Sequence, residues 1–334
     1  MAVVLVIQSC TKIIKENRLI LPINSIPISE IKEPFLKKNS ISLQLLRLEQ
    51  TDQFISGNKW FKLLYNLEKF KKEHYTVLLT FGGAYSNHIH ATAEACHRFN
   101  IPAIGIIRGE KPEKLNQTLT QALERNMQLY FVSRNDYRQK QHPEFIKQLI
   151  TKLINKNYIT QQDKIYVLPE GGSNELAIKG CALIPKLITS QYHYLCCAIG
   201  SGGTFGGLIH GVEDNNTKLL GFSALKGADQ LENSIIQLIK EVNVTNTTPS
   251  WQINHDYHFG GFAKTKPELF HFINVFYQNH KIKLDVIYTG KMMYGLYQLI
   301  KNDYFPKNTN IVAIHTGGLQ GNHEFEKKGF LKWQ

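Results

Sequence analysis

One lysine stands where its side chain could attack an aldehyde. Lys59 follows Gly57-Asn58 at the predicted start of an amphipathic helix and is flanked by Trp60 and other apolar residues. Burial and a helix N-terminus both disfavour the ammonium ion, and the neutral amine is the form that attacks a carbonyl carbon. Most lysines are solvated surface cations, so this segment alone leaves both interpretations open.

A glycine-rich loop further along the chain has the composition of a phosphate-binding site. It follows a hydrophobic run, precedes a predicted helix, and consists of Gly200, Ser201, Gly202, Gly203 and Thr204. Glycines let backbone N–H groups approach an anion, and the helix N-terminus adds partial positive charge. Phe205 stands where a dinucleotide fingerprint would require glycine, and no P-loop lysine follows. The alternative is a turn that permits tight helix–sheet packing.

Three similar turns indicate a shared pocket. They lie at 81–88, 170–174 and 316–318, where predicted strands end, and ligands of open α/β sheets bind at the carboxyl ends of strands. Strands are predicted at 76–81, 103–107, 129–132, 165–168, 194–199, 219–223 and 311–315. Helical spacing occurs at 60–70, 89–98, 118–126, 143–156, 174–190, 265–279 and 291–301. This alternation favours an α/β fold with mainly parallel sheets.

Composition narrows the classes of function. A chain of 334 residues with 43% hydrophobic residues is long enough for one large or two modest domains. The apolar run Met1–Ile7 is shorter than the core of a secretion signal, and the segment ending at Cys10 only faintly resembles a lipoprotein box. No stretch approaches the roughly 20 apolar residues of a membrane helix. We therefore expect a cytoplasmic protein without a membrane partner.

Cysteines and charges exclude further classes. The five cysteines are scattered without CxxC spacing, which is typical of a reducing compartment: Cys10, Cys96, Cys181, Cys196 and Cys197. The net charge of +12 is spread along the chain without a basic stripe of interleaved aromatics, so we expect no nucleic-acid partner. His88 and His90 lack an acid or cysteine at ligand spacing, and no metal site is predicted.

Five motifs in order resemble the 1-aminocyclopropane-1-carboxylate (ACC) deaminase and D-cysteine desulfhydrase family. They are Gly57-Asn58-Lys59, Gly82-Gly83 with Ser86-Asn87-His88, Gly200 to Thr204, Tyr288-Thr289-Gly290-Lys291, and His315-Thr316-Gly317-Gly318. The resemblance extends from about Leu21 to Gly318. It implies a pyridoxal 5'-phosphate (PLP) enzyme of fold type II, the tryptophan synthase β-like fold, with two α/β domains, parallel-rich open sheets and helices on both faces. It also implies a homodimer, a discontinuous large PLP-binding domain (1–59 plus 173–334) and a small domain (60–172).

The resemblance implies roles for individual residues. Lys59 would hold PLP as a Schiff base, and the loop from Gly200 to Thr204 would grip its phosphate. Asn87 would bond the ring hydroxyl oxygen. The substrate would contact Ser86, Asn87 and His88, with Ser86 and His88 facing its carboxylate. A hydroxyl and the N–H groups of a strand-to-helix turn suit that anion, and Ser86 could cap the helix at the same time.

Two threonines bear on the reaction. ACC deaminases resemble one another in a glutamate at position 289 and a leucine at position 316, whereas Thr289 and Thr316 here resemble the desulfhydrase pattern. A neutral hydroxyl near the pyridine nitrogen favours its protonation less than a carboxylate would. We therefore expect both threonines to contact the cofactor and the substrate to be a small amino acid. The predicted reaction is β-elimination of D-cysteine to pyruvate, ammonia and sulfide; ACC or another D-amino acid is the alternative.

Lys59, Tyr288 and Ser86 are the candidate catalytic residues. Lys59 or another base in the pocket would deprotonate Cα, and the Tyr288 phenol could donate to a leaving thiolate or contact the substrate. The alternative for Tyr288 is an aromatic wall of the pocket. Three positions depart from the family: Tyr85 replaces a glutamine of ACC deaminases, Phe262 replaces a frequent tyrosine, and the segment 319–322 replaces a proline-containing continuation.

Overall fold

The chain forms two β-sheets with helices packed against them. The computed structural model describes residues 26–242 and 249–333, so the apolar run Met1–Ile7 and Cys10 lie outside the described residues. The strands are β1 (Ile28–Ile31), β2 (Ser42–Leu46), β3 (Val77–Gly82), β4 (Ala103–Arg108), β5 (Met127–Val132), β6 (Ile165–Leu168), β7 (Tyr194–Ile199), β8 (Lys218–Ser223), β9 (Trp251–Asn254) and β10 (Asn310–Ile314).

Helices alternate with these strands. They are α1 (Pro34–Lys38), α2 (Asn58–Lys72), α3 (Asn87–Arg98), α4 (Gln117–Glu124), α5 (Arg134–Arg138), α6 (Pro143–Asn155), α7 (Glu175–Cys181), α8 (Gly203–Gly211), α9 (Leu231–Lys240), α10 (Pro267–His280), α11 (Thr289–Lys301) and α12 (His323–Lys327). Short 3₁₀ turns are found at Leu48–Gln50, Glu170–Gly172, Pro185–Leu187 and Leu319–Asn322.

Within the described residues, the larger sheet has six strands in the order β1-β2-β10-β7-β8-β9, and the smaller has four in the order β5-β4-β3-β6. All pairs are parallel except the antiparallel edge pair of β1 and β2. Strands β3 and β7 are buried along their whole length, as expected for parallel strands covered by helices on both faces. The predicted parallel-rich α/β fold is confirmed.

Helix α2 lies in an apolar core shared by both sheets. Its Trp60 and Phe61 side chains are buried in a cluster that also contains residues of β3, β4 and β6 from the smaller sheet and of β7, β8 and β10 from the larger. Removing an aromatic side chain of this size costs about 3–5 kcal/mol of folding free energy, so the helix is firmly held. The lysine at its first turn is therefore fixed where the two sheets meet.

The predicted elements agree with the structure except at a few places. All seven predicted strands are present, shifted by no more than two residues. Three strands of the larger sheet, β1, β2 and β9, were not predicted, nor were the helices α1, α5, α9 and α12. The predicted helix 174–190 is confirmed only over its first part, because α7 ends at Cys181 and Pro185 begins a separate 3₁₀ turn. Proline has no backbone N–H with which to continue the helical hydrogen bonds.

The two sheets follow the division of the sequence. The smaller sheet lies within 60–172, and the described strands of the larger sheet lie within 1–59 and 173–334. The domain boundaries themselves stay a prediction. Within residues 26–242 and 249–333, no helix combines the length and apolarity needed to cross a membrane.

Candidate active site

Four turns at the carboxyl ends of parallel strands line one cavity of ≈ 830 Å³. They follow β3, β6, β7 and β10, two strands from each sheet. The predicted shared pocket is therefore confirmed. Its lining also includes the first turn of α2 and residues from the two aromatic-containing segments around Phe262 and Tyr288.

Lys59 lines this cavity from the first turn of α2. Its Nζ donates a hydrogen bond to Asn58 Oδ1 at 2.8 Å. Burial lowers the pKa of Lys59 to about 7, and the nearby charge of Lys62 acts in the same direction. A large fraction of this side chain is thus a neutral, nucleophilic amine at neutral pH. The side chain has the reactivity that Schiff-base chemistry requires.

Gly57 brings the lysine motif against the end of β10. Its φ of +70° is unfavourable for other residues, and a Cβ atom there would lie only 2.1 Å from the Thr316 carbonyl oxygen. The next residue, Asn58, donates its backbone N–H to that same oxygen at 3.2 Å. These contacts explain the spacing Gly57-Asn58-Lys59, because they place the lysine beside Thr316 at the cavity wall.

The predicted phosphate loop connects β7 to α8. Gly202 is the N-cap of α8 and adopts the left-handed conformation, with φ of 81°, that glycine tolerates. Gly200, Ser201, Gly202 and Thr204 line the cavity, whereas Gly203 is buried behind them beside Ser173 and Lys62. The N-terminus of α8 and two hydroxyl groups therefore face the space that a phosphate group would occupy.

A second lysine, Lys62, contacts the phosphate loop; it was not predicted as a site residue. Lys62 is 2% exposed, and its Nζ donates to the Gly171 carbonyl oxygen at 2.9 Å, to Ser173 Oγ at 2.9 Å and to Ser201 Oγ at 3.3 Å. Burial lowers its pKa. No carboxylate forms an ion pair with Lys62 within the described residues. A buried ammonium without a counter-charge is unfavourable, so an anion in the loop would stabilise it.

The spacing of the two lysines could have identified Lys62. Residues three apart on a helix project from the same side, so a helix that presents Lys59 to a pocket also presents Lys62. The contribution of the turn after β6 was harder to anticipate. Its Ser173 Oγ lies 2.7 Å from Ser201 Oγ, which joins this turn to the phosphate loop.

The N-terminus of α3 forms another anion-binding edge of the cavity. Ser86 caps the helix: its Oγ accepts the Ile89 N–H at 3.2 Å, and its carbonyl oxygen accepts the His90 N–H at 3.1 Å. Asn87 and His88 occupy the first two helical positions, where backbone N–H groups have no acceptor within the helix. Ser86, Asn87 and His88 all line the cavity, in a position suited to a carboxylate.

The His88 ring is directed into the smaller sheet. Its Nε2 lies 2.8 Å from Thr80 Oγ1 and its Nδ1 lies 3.4 Å from Thr92 Oγ1. Burial and the nearby Lys59 and Lys62 lower the pKa of His88 well below its ordinary value, so the ring is neutral. With both nitrogens engaged by threonines, the group of His88 best placed for an anion is its backbone N–H.

Asp285, a second residue that was not predicted, fixes the opposite wall. This carboxylate is 1% exposed and accepts the backbone N–H groups of Ile287 at 3.0 Å and of Tyr288 and Thr289 at 2.7 Å each. It thereby holds the start of α11. Burial, reinforced by the charges of Asp285 and Glu170, raises the pKa of the Tyr288 phenol, so Tyr288 is a hydrogen-bond donor that stays protonated.

The two threonines lie one behind the other. Thr316 lines the cavity, while Thr289 is fully buried, outside the cavity lining, with its Oγ1 at 3.4 Å from Thr316 Oγ1. Within the described residues, no group of three or more histidine, cysteine or acidic side chains could hold a metal ion.

The arrangement fits one cofactor class. A nucleophilic lysine, a loop with an uncompensated buried cation, and a separate helix N-terminus suit an aldehyde that carries a phosphate and reacts with a carboxylate-bearing substrate. The family model described as pyridoxal-phosphate dependent enzyme matches residues 30–317. The chain belongs to the pyridoxal-phosphate dependent enzyme family. Its cofactor is therefore PLP, as the sequence motifs predicted.

Individual relatives are similar over most of the chain. A protein of Thermotoga maritima provisionally named 1-aminocyclopropane-1-carboxylate deaminase is 28% identical over 316 residues, covering 91% of this chain and 97% of the relative. The bifunctional D-cysteine desulfhydrase/1-aminocyclopropane-1-carboxylate deaminase of Arabidopsis thaliana mitochondria is 27% identical, covering 85% and 74%. The resemblance inferred from the motifs is confirmed.

Solved structures support the fold. The crystal structure of a protein described as an ACC deaminase homologue superimposes with a TM-score of 0.78 at 24% identity, covering 92% of this chain and 94% of the other. The predicted fold type II architecture is thus confirmed. The chain is a PLP-dependent enzyme of this fold.

Proposed function

We propose that this PLP-dependent enzyme catalyses β-elimination on a small D-amino acid, with D-cysteine as substrate and pyruvate, ammonia and sulfide as products. The observation that carries the proposal is the pair Thr289 and Thr316. The side chain exposed at this wall is the neutral hydroxyl of Thr316, while the nearby carboxylate of Asp285 is occupied by three backbone N–H groups. A neutral partner for the ring nitrogen suits elimination better than cyclopropane opening.

PLP, when bound, supplies an electron sink that stabilises negative charge at the Cα atom of an amino acid. The residues of the chain supply the remaining functions. The N–H groups of Asn87 and His88 bind the substrate carboxylate, because they lie at the start of α3. Lys62 and the loop Gly200 to Thr204 hold the cofactor phosphate. Ser201 belongs to this loop, and its Oγ also accepts a hydrogen bond from Lys62.

Proton transfer is assigned to two side chains. Lys59, with a pKa of about 7, accepts the proton of Cα as its C–H bond breaks. Tyr288, which its raised pKa keeps protonated, donates its phenolic proton to the sulfur atom as the Cβ–S bond breaks, and the proton that Lys59 took from Cα then returns to the phenolate, which restores both groups. Hydrolysis of the released 2-aminoacrylate consumes one water molecule and gives pyruvate and ammonia. The sum is D-cysteine plus water to pyruvate, ammonia and hydrogen sulfide.

The cavity wall near Tyr288 is apolar. The Phe262 ring lies 6.1 Å from the Tyr288 ring, measured between centroids, and is 42% exposed. A phenylalanine contacts a thiol through dispersion and offers no hydrogen bond to a hydroxyl. This wall therefore favours cysteine over serine as the substrate.

A panel of D-cysteine, L-cysteine, D-serine, β-chloro-D-alanine and ACC tests the proposal. Sulfide and 2-keto acid are measured for each compound with PLP-saturated enzyme. Among the natural amino acids we expect the highest kcat/KM for D-cysteine, with sulfide and pyruvate in equal amounts. ACC deamination is the second candidate, favoured by the names of the Thermotoga and Arabidopsis relatives. ACC as the best substrate would overturn the assignment.

We also propose the homodimer that the family resemblance implies. Sedimentation equilibrium of the PLP-loaded protein should give twice the chain mass of 38.3 kDa. A single species at the chain mass would contradict this proposal.

A further inference from the structure

The side-chain amide of Asn87 is oriented by a residue outside the five sequence motifs. Gln320 donates a hydrogen bond from its Nε2 to Asn87 Oδ1. No hydrogen bond uses Asn87 Nδ2 within the described residues, although this side chain lines the cavity. With its oxygen engaged, Asn87 has only its NH₂ group to offer a bound molecule.

Gln320 projects from a rigid turn. The 3₁₀ turn Leu319–Asn322 ends at a residue that is 1% exposed: Asn322 Oδ1 accepts the Val286 N–H at 3.1 Å, and its Nδ2 donates to the Leu284 carbonyl oxygen at 3.0 Å. Within the turn, the Gly321 N–H donates to the Gly318 carbonyl oxygen at 3.0 Å. These bonds fix the backbone from which the Gln320 side chain reaches α3.

Gly318 leaves room for the NH₂ group of Asn87. A Cβ atom on Gly318 would lie 2.6 Å from Asn87 Nδ2, so the NH₂ group occupies the space into which a side chain at position 318 would project. Lacking a side chain, Gly318 blocks neither the NH₂ group nor its access to the cavity. In this orientation of the amide, Asn87 Oδ1 accepts the hydrogen bond from Gln320, and Asn87 Nδ2 lies beside Gly318.

We propose that Gln320 is a positioning residue that holds Asn87 with its Nδ2 as a donor toward the ring hydroxyl oxygen of PLP. The inference rests on the proposed function and on the contact between Asn87 and that oxygen that the family resemblance implies. A reversed amide would present Oδ1, and two acceptor oxygens repel when the ring hydroxyl is ionised. The family resemblance does not assign this role, because the segment 319–322 departs from the family pattern.

Substitutions that separate shape from hydrogen bonding test the proposal. The apoprotein variants Gln320→Met and Gln320→Glu are titrated with PLP, and the dissociation constant is measured by fluorescence together with the visible spectrum. Methionine removes the donor, so we expect affinity to fall about 3- to 10-fold. Glutamate can only accept, which draws Nδ2 away from the cofactor, and we expect a larger loss, of more than about tenfold.

Two controls show whether the effect passes through Asn87 to the ring oxygen. In the Asn87→Ala background, Gln320→Glu should change the dissociation constant by less than about twofold. With Asn87 present, Gln320→Glu should likewise change the dissociation constant of 3-deoxypyridoxal phosphate, which lacks the ring hydroxyl, by less than about twofold. Equal losses in all three settings, or PLP binding by Gln320→Glu as tight as in the wild type, would overturn the inference. Circular dichroism of each apoprotein identifies a folding defect, in which case the milder Gln320→Met decides.

The outcome is distinguishable from failure of the proposed function. A wild-type enzyme that binds PLP but eliminates none of the amino acids in the panel would contradict the proposed reaction and leave the cofactor titrations valid. If the enzyme eliminates D-cysteine but the Gln320 variants bind PLP as tightly as the wild type, only the inference about Gln320 is contradicted.

Discussion

Asn58 donates a hydrogen bond from Nδ2 to Thr204 Oγ1 at 2.7 Å, which joins the lysine motif directly to the phosphate loop. Its Oδ1 accepts the Lys59 Nζ at 2.8 Å. One amide thus connects the lysine proposed to react with the cofactor aldehyde and a threonine of the proposed phosphate loop. We expect these two hydrogen bonds to help fix the distance between the two sites, which PLP must span.

Asn58→Ala should therefore weaken PLP binding more than the loss of one contact would. Two hydrogen bonds at about 0.5–1.5 kcal/mol each predict a loss of about 5- to 100-fold in affinity. Thr204→Val removes one of the two, and the double variant should lose less than the sum of the single losses because the residues are coupled. Titration of the apoproteins with PLP measures all three. Strictly additive losses would contradict the coupling.

Lys62 should act on the cofactor through its phosphate. Lys62→Met removes charge-assisted bonds worth about 1.5–3 kcal/mol, so PLP affinity should fall about 10- to 100-fold, whereas affinity for pyridoxal, which has no phosphate, should change little. Lys69→Met is the matched control: Lys69 lies on the same helix, its side chain is 38% exposed, and it pairs with Glu73. Equal weakening for PLP and pyridoxal would show that Lys62 acts only through the fold.

The pH dependence of cofactor binding should report the lowered pKa of Lys59. Below about pH 7 the ammonium dominates, and the rate constant for PLP binding to the apoprotein should fall about tenfold per pH unit; above it the rate should level off. Burial and Lys62 lower this pKa, while Asp285 and the thiols of Cys181 and Cys197 oppose them. Stopped-flow absorbance between about pH 5 and about pH 9, roughly two units on either side of that pKa, measures the profile.

The same profile has an internal control. Lys62→Met removes the like charge, which raises the pKa of Lys59 and moves the midpoint of the profile to higher pH. Lys59→Ala should show no lysine-bound visible absorbance at any pH. A midpoint near the ordinary lysine pKa in the wild type would contradict the desolvated site.

Local patterns predicted the framework of this molecule well. The strand β7, the loop after it and α8 follow from an apolar run, glycines and helical spacing, because each depends on neighbouring residues. The larger sheet was harder. Strand β2 pairs with β10 across more than 250 residues of sequence, in a register such as Leu43 with Ile311, and no short pattern encodes that pairing.

The functional site shows the same difference between features set by neighbouring residues and features set by distant ones. Lys59 and the phosphate loop were found because glycines mark them, and the motif order related them to a family. Asp285 and Lys62 were missed because their importance comes from partners that are distant in sequence: Lys62 meets the Gly171 carbonyl oxygen 109 residues later. The inward turn of the His88 ring depends on Thr80 in a neighbouring strand. Thr289 was expected to contact the cofactor; it is fully buried and outside the cavity lining, with its Oγ1 at 3.4 Å from Thr316 Oγ1.

Exchanging the two threonines tests the basis of the substrate assignment. Thr289→Glu with Thr316→Leu introduces the glutamate and the leucine in which ACC deaminases resemble one another. We expect the ratio of kcat/KM for ACC to that for D-cysteine to rise by at least about tenfold, because a carboxylate stabilises the protonated ring. Thr316→Val, which removes only a hydroxyl, is the control and should leave the ratio near the wild-type value. An unchanged ratio in the double variant would show that specificity lies elsewhere.

The role of Tyr288 can be separated from its packing by varying the leaving group. Tyr288→Phe keeps the ring beside Phe262 and removes the proton that departs with the β-substituent. Hydroxide is a poor leaving group without a proton, hydrosulfide is intermediate, and chloride requires no proton. We therefore expect kcat to fall about 10²- to 10⁴-fold with D-serine, less with D-cysteine, and little with β-chloro-D-alanine. Pyruvate formation from the three substrates measures this order. An equal loss with all three would mean that the phenol positions the substrate or packs against the phosphate loop near Gly200, where its ring lies close to the glycine Cα.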